Sequence, residues 1–333
     1  MGKSYTGVDI GSASVKLAVC DDGAIKTIVV EALPEGLMAD GHLVSLDATA
    51  DFIKGLAKRA GGIAKDVAFV LPSTESLVRR LSIPAMTIKE LELNLPYEFR
   101  DYISQGKDRY EYDYVVLAMH TDAAGVPESM DLLAAAAMKQ TIADYQEMFR
   151  RAGMRMRIAL PAQAAFQNLV GGNPRALANC CVIDFSHAAT KLHFFTDGAY
   201  DVTRIIEIGG IDIDRAIASA YGVDEHVANS YKLTDYEDAQ ACQAAVEVYE
   251  SIAVEIGRAL NFYGFNNPDT SIEVAYCCGG GAYLQMLVNT VAAHTDVELR
   301  SIADIMPEVA NADGGPDKRL LCPAAVGATE GRR

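Results

Sequence analysis

Asp9 and Lys16 lie seven residues apart around the stretch Asp9-Ile10-Gly11-Ser12-Ala13-Ser14, and the same pair returns as Asp184 and Lys191. A leucine follows each lysine, Leu17 and Leu192, and an Asp-Gly pair closes both stretches at the same distance, Asp22-Gly23 and Asp197-Gly198. These residue types suit phosphate. Gly11 lets the backbone come close to an anion, Ser12 and Ser14 offer hydroxyl donors, Lys16 can neutralise charge, and Asp9 can hold a metal-bound water. Two apolar strands joined by a small-residue turn after an Asp make a hairpin whose N–H groups can approach phosphate. One such hairpin is equally an ordinary β-turn with a solvated lysine. Repetition gives it weight, because two hairpins facing each other from duplicated domains can clamp one nucleotide.

Glycine runs add to this. Gly279-Gly280-Gly281 ends an apolar strand and opens a helix, which lets a sugar and base lie on the backbone with phosphate near a helix N-terminus. Gly209-Gly210 follows Ile205-Ile206-Glu207-Ile208 and leads into another helix. A flexible connector explains either run alone.

The elements that must position these residues are legible from periodicity. Strands are expected at 5–10, 15–19 and 25–32, a helix over 48–61 stopping at Gly61-Gly62, and a strand at 66–71. A block follows in the order strand, helix, strand, strand, helix, strand. Its first helix opens at a Thr87–Glu90 capping box and runs to about Ser104. This block reads as a compact α/β insert. Gly171-Gly172-Asn173-Pro174 marks a domain boundary. The second half repeats the plan, with a long helix over 241–262 and a strand at 272–277.

At 333 residues the chain is long enough for two cores. Its net charge of −16 argues against non-specific nucleic-acid binding and against a basic membrane patch. No apolar run reaches bilayer-spanning length. The seven cysteines, with none at C-x-x-C spacing, read as small buried hydrophobes in a reducing cytosol.

The order of elements resembles the actin/Hsp70/sugar-kinase superfamily. Within it the chain is similar to the PilM family, actin-like proteins of type IV pilus machines and kin of the division protein FtsA. The residues that carry the resemblance are Gly7-Val-Asp-Ile-Gly-Ser-Ala-Ser-Val-Lys16, Phe69-Val-Leu-Pro-Ser73 with Arg80-Leu-Ser-Ile-Pro84, the helix from Ile88, and Leu133-Ala-Ala-Ala-Ala137. Ile208-Gly-Gly210, Cys278-Gly-Gly-Gly-Ala282 and Ala324-Ala-Val-Gly327 continue it. The resemblance implies an α/β, duplicated actin-like ATPase fold of two RNase H-like lobes with a 1C-type insert in the first. Lobe I is expected over 1–170 with the insert at about 74–157. Lobe II is expected over 171–333, with a helical subdomain at about 222–271 and a C-terminal segment returning to the lobe interface.

It also implies an ATP and Mg²⁺ site. Gly11, Ser12, Ser14 and Lys16 would meet phosphates from the first hairpin and Thr190 from the second. Gly210 would line the cleft, Asn229 and Lys232 would meet ribose or adenine, and Gly280 and Gly281 would bracket the base. Asp9 and Asp184 would serve the metal. A PilN-like bitopic inner-membrane protein would dock a short cytoplasmic peptide between the 72–80 segment and the 88–102 helix. Tyr97, Phe99 and Tyr102 put aromatics on that helix, and packing of the insert explains Tyr97 and Phe99 as well. Other pilus components are further expected partners, nucleic acid is not, and the location is cytoplasmic at the inner face of the membrane. FtsA relatives carry a C-terminal membrane helix. This chain ends at Gly331-Arg332-Arg333 without one, so the membrane is expected to be reached through a partner.

Three departures bear on turnover. The second hairpin reads Asp184-Phe185-Ser186 where relatives have Asp-Ile-Gly, and His187 follows, which crowds the approach of a terminal phosphate. Pro161-Ala162-Gln163 has no Glu in register to place water. Asn229 stands where relatives often carry Glu. Nucleotide binding with at most weak ATPase activity is the expectation. A small-molecule kinase of the same superfamily and an FtsA- or MreB-like filament former are the alternatives.

Overall fold

The structure is a computed structural model that describes residues 4–39, 41–61, 63–310 and 315–330. Gly62 of the expected helix stop and the tail at 331–333 lie outside the described residues. The chain divides into two compact units. One takes Met1–Leu169, Pro307–Pro316 and Ala324–Arg333, and the other takes Val170–Met306 and Asp317–Pro323.

In the first unit, β1 (Ser4–Ile10), β2 (Ser14–Asp21) and β3 (Ala24–Ala32) form an antiparallel meander. A short pair, β4 (Met38–Ala39) and β5 (His42–Leu43), precedes α1 (Leu46–Ala60), whose cap Ser45 accepts a bond from the N–H of Ala48. Strand β6 (Asp66–Leu71) lies parallel to β1. After the insert described below come α3 (Lys139–Arg151), β10 (Arg155–Pro161), parallel to β6, and α4 (Ala162–Val170). The sheet order is β10-β6-β1-β2-β3. Period-two alternation sorts β6 between two faces. Val67, Phe69 and Leu71 enter a core with Ile53 and Leu56 of α1 and Tyr145, Met148 and Phe149 of α3. Ala68 and Val70 face a core of small residues, Ala165 of α4 with Ala324 and Ala328 of α9 (Pro323–Thr329). Small side chains let these backbones close in. A Cβ on Gly7 would lie 1.8 Å from the carbonyl oxygen of Ala325, and one on Gly327 would lie 2.1 Å from that of Ala165.

The insert is a three-stranded antiparallel sheet, ordered β7-β9-β8, of β7 (Ser76–Pro84), β8 (Tyr110–Thr121) and β9 (Pro127–Met138). Helix α2 (Ile88–Glu98) covers one face through Leu91 and Leu95, with Phe99 at its end fully buried. Both halves of the Thr87–Glu90 capping box are formed. The helix stops at Glu98 rather than near Ser104. Pro96 removes an N–H from its last turn, and Phe99 turns into the insert core. The helix and strand at the end of the expected 74–157 block, α3 and β10, join the first sheet instead.

In the second unit, β11 (Cys180–Phe185), β12 (Thr190–Thr196) and β13 (Ala199–Ile206) repeat the meander. Helices α5 (Gly210–Tyr221), α6 (Glu225–Thr234) and α7 (Gln243–Asn266) follow, then β14 (Val274–Cys278), α8 (Gln285–Ala293) and β15 (Glu298–Ser301). The sheet order β15-β14-β11-β12-β13 matches that of the first unit. Correspondence reaches single residues. Asp9 pairs with Lys16 and Asp184 with Lys191, and each sheet has a bulge at the same place, Val19/Cys20 and Phe194/Phe195. Asp22-Gly23 and Asp197-Gly198 all have φ between 51° and 77°, the paired left-handed turn that fits hairpin twist.

All seven cysteines are free thiols. Burial pushes the Cys277 thiol up to about 12, so it stays protonated. Among the described residues no helix is long and apolar enough to cross a membrane.

Candidate functional site

The first hairpin turns where Gly11 donates its N–H to the carbonyl of Ser14 at 2.9 Å, and the N–H of Leu33 braces the turn at the carbonyl of Ala13. Ile10 and Val15 anchor both strands in the core beneath. Lys16 Nζ lies 3.1 Å from Asp9 Oδ2, with the two side chains 18% and 21% exposed. A Cβ on Gly11 would sit 2.8 Å from that ammonium, so glycine leaves the lysine its place. Ser12 is exposed and Ser14 partly so. The five residues expected to serve phosphate and metal, Asp9, Gly11, Ser12, Ser14 and Lys16, thus share one corner. Its donor set of ammonium, hydroxyls and turn backbone fits an anion, and its carboxylate fits the water shell of a divalent cation.

In the second unit the expected residues gather at the end of β11, but several are occupied. Thr190 is buried and donates its hydroxyl to the carbonyl of Ile208 at 2.9 Å. The N–H of Gly210 bonds the carbonyl of Ser186 at 3.0 Å, and that of Ile211 bonds His187 at 2.9 Å. Gly209 allows this docking, since its Cβ would lie 2.5 Å from the N of Ala189. The Gly-Gly pair therefore fastens α5 to the hairpin turn.

Lys232 is buried on α6. Its ammonium meets Asp214 Oδ1 at 2.6 Å and the carbonyl of Gly210 at 3.2 Å. His187 Nδ1 lies 3.9 Å from the other oxygen of Asp214. Burial pushes the Asp214 carboxyl up, against the pull of Lys232, and pushes the His187 imidazole down. Asn229 sits three residues before Lys232 on the same helix and is half-buried.

The three glycines divide by role. Gly279 has φ +84°, and a Cβ there would lie 2.5 Å from the carbonyl oxygen of Phe185 and 2.7 Å from Asp184 Oδ1. A Cβ on Gly281 would strike Phe185 Cβ at 2.7 Å, whereas one on Gly280 would meet nothing within 4 Å. Gly279 and Gly281 permit close packing, and Gly280 alone faces open space. Phe185 is buried in the core of this unit, and Ser186, His187, Ala188 and Ala189 make the turn.

Asp214 is the residue that sequence reasoning missed. A signal exists, because an acid lies between Ile213 and Ile217 on the apolar side of α5.

A profile of the family described as type IV pilus assembly protein PilM matches residues 7–324. The chain belongs to that family. A solved PilM-PilN type IV pilus biogenesis complex is 24% identical, covers 98% of this chain and 97% of its own, and superposes with a TM-score of 0.77. The ethanolamine utilization protein EutJ from Carboxydothermus hydrogenoformans is 15% identical, with coverage of 98% and 89% and a TM-score of 0.62. MreB 5 of Spiroplasma citri, solved bound to AMPPNP, is 12% identical, with coverage of 98% and 94% and a TM-score of 0.51. These neighbours give PilM-family architecture: the fold is that of actin-like ATPases. No curated protein sequence matches significantly.

Proposed function

We propose that this chain is an ATP-binding scaffold on the cytoplasmic side of a type IV or competence pilus machine. It recruits a PilN-like bitopic membrane protein by a short cytoplasmic peptide of that partner. Family membership and the solved relative in complex with PilN support the pilus role.

The observation in this chain that carries partner docking is a strip on the insert. Tyr97 and Tyr102 are more than half exposed. The Arg79 guanidinium lies 4.1 Å over the Tyr102 ring and bonds the carbonyl of Glu98, and Lys107 Nζ lies 3.8 Å over Tyr97. Aromatic faces held by cations form a rigid, amphipathic contact surface at low entropic cost.

For the nucleotide, Lys16 neutralises phosphate charge, and Gly11, Ser12 and Ser14 supply donors. Gly210 and Asn229 line the sugar side, and Gly280 leaves room for the base. Thr190, Lys232 and Gly281 act behind these, holding the hairpin, α6 and the glycine turn. Mg²⁺ would supply positive charge to the phosphates, and Asp9 and Asp184 would hold its water shell. Gln163 opens α4 with no carboxylate in register to place water, so binding dominates over turnover. ATP then stabilises one shape of the scaffold by linkage.

The test is fluorescence anisotropy of the labelled N-terminal cytoplasmic peptide of the PilN protein from the same pilus system. Binding should weaken by about tenfold, a change of about 1.4 kcal/mol, in Tyr97→Ala and Tyr102→Ala. A peptide that does not bind the wild-type chain contradicts the docking reading.

A further inference from the structure

Among the described residues, Asp214 and Lys232 are the buried carboxylate and the buried ammonium. Their side chains are 3% and 9% exposed and meet at 2.6 Å, and the carbonyl of Gly210 takes a second bond from the ammonium. His187 stands on the other side of the carboxylate, at 3.9 Å. The neighbouring cation, Arg215, is likewise paired, with Asp212 at 3.5 Å and Glu225 at 3.4 Å. The α5–α6 surface therefore neutralises its positive charge with its own carboxylates. An ammonium that shares a carboxylate in a low-dielectric site attracts an incoming anion weakly, because the carboxylate repels what the lysine attracts.

We propose that Asp214 is a positioning residue that withholds Lys232 from nucleotide and so sets a low affinity for ATP in this chain. The inference rests on the nucleotide reading above and names the device that tunes it. Asp214 acts through Lys232, with Gly210 fixing where the ammonium sits and His187 closing the free side of the carboxylate.

The experiment is calorimetric titration of ATP with Mg²⁺ into the full chain at two salt concentrations. It uses wild type, Lys16→Ala, Asp214→Asn and the double variant Asp214→Leu/Lys232→Met. Asn keeps the shape and an oxygen for Lys232 but removes the competing charge. The expected result is ATP binding about tenfold tighter in Asp214→Asn, the order of one added charge-assisted contact. That binding should also depend more steeply on salt. The double variant, which leaves no charge unpaired, should bind within about twofold of wild type, since the pair it removes contributes no net charge. The double variant also covers an Asp214→Asn chain that fails to fold.

If Lys16→Ala abolishes binding while Asp214→Asn binds no tighter than wild type, the inference is overturned and the nucleotide reading stands. A double variant weakened by about tenfold overturns it equally, because Lys232 would then be meeting nucleotide directly. No ATP binding in any of the four chains removes the nucleotide reading and this inference with it.

Discussion

Asp9 and Lys16 are cross-strand partners whose side chains meet at 3.1 Å, and neither is buried. A partly exposed pair of this kind contributes little to stability. In Lys232 and Asp214 the opposite holds.

That buried pair should behave as a unit. Lys232→Met leaves a buried carboxylate without its partner and should cost about 3–5 kcal/mol. The double variant Asp214→Leu/Lys232→Met should recover most of that loss, as apolar replacements of buried pairs often do. Urea unfolding of the three chains decides it; a single variant as stable as wild type would mean that the pair carries no buried charge.

Close backbone approach makes two glycines irreplaceable. Gly7→Ala and Gly327→Ala each place a Cβ within 2.1 Å of a carbonyl oxygen of α9 or α4. The backbones must part, at about 1–3 kcal/mol or more. Thermal melts should show both variants well below wild type, while Gly23→Asn, at a turn with space and a tolerated left-handed conformation, should fall much less.

His193 is buried on β12, with Nδ1 2.7 Å from Thr203 Oγ1. Burial, with Lys191 nearby, holds its imidazole down to about 3. The unfolded chain binds this proton near pH 6.5 and the folded chain does not, so stability is full above that pH and falls as pH drops towards 3. One extra proton on the unfolded state gives a slope of about 1.4 kcal/mol per pH unit. His193→Gln should lose this share of the acid sensitivity, measured as the change in urea midpoint between pH 7 and pH 5. Equal pH slopes in both chains would contradict a neutral, buried His193.

Tyr145 is buried, and burial first and the Glu75 carboxylate second hold its phenol well above the usual range; Glu75 itself meets His42 at 3.1 Å. Tyr145→Phe should keep the ring packing on Phe69, 4.7 Å away, and lose only the hydroxyl. A loss of about 1 kcal/mol in urea unfolding is expected; a loss near that of a deleted aromatic ring would mean that the hydroxyl organises the β6–α3 packing.

The duplicated hairpins were legible because their signals are local. A cross-strand Asp–Lys register and an Asp-Gly turn are each spelled within fifteen residues, and the Thr87–Glu90 box within four. Helix α6 was harder to see. Its one clear mark is Asp224, whose carboxylate caps the N–H groups of His226 and Val227, and most of its surface is exposed. Strand β15, Glu298–Ser301, joins the sheet edge with a polar sequence that no alternation reveals. In the candidate site, the residue types were readable and their partners were not. Lys232 meets a carboxylate 18 positions earlier because α5 and α6 pack together, and Thr190 spends its hydroxyl on Ile208 in the same way. Such pairings are decided by tertiary packing, which spacing along the chain does not encode.

The most direct test of the account is a calorimetric titration of ATP with Mg²⁺ into the full chain and into Lys16→Ala. Saturable binding by the wild type that disappears in the variant, with the variant's melting temperature unchanged, is the predicted result. Wild-type protein that takes no ATP, or a Lys16→Ala chain that binds as well as wild type, would contradict it.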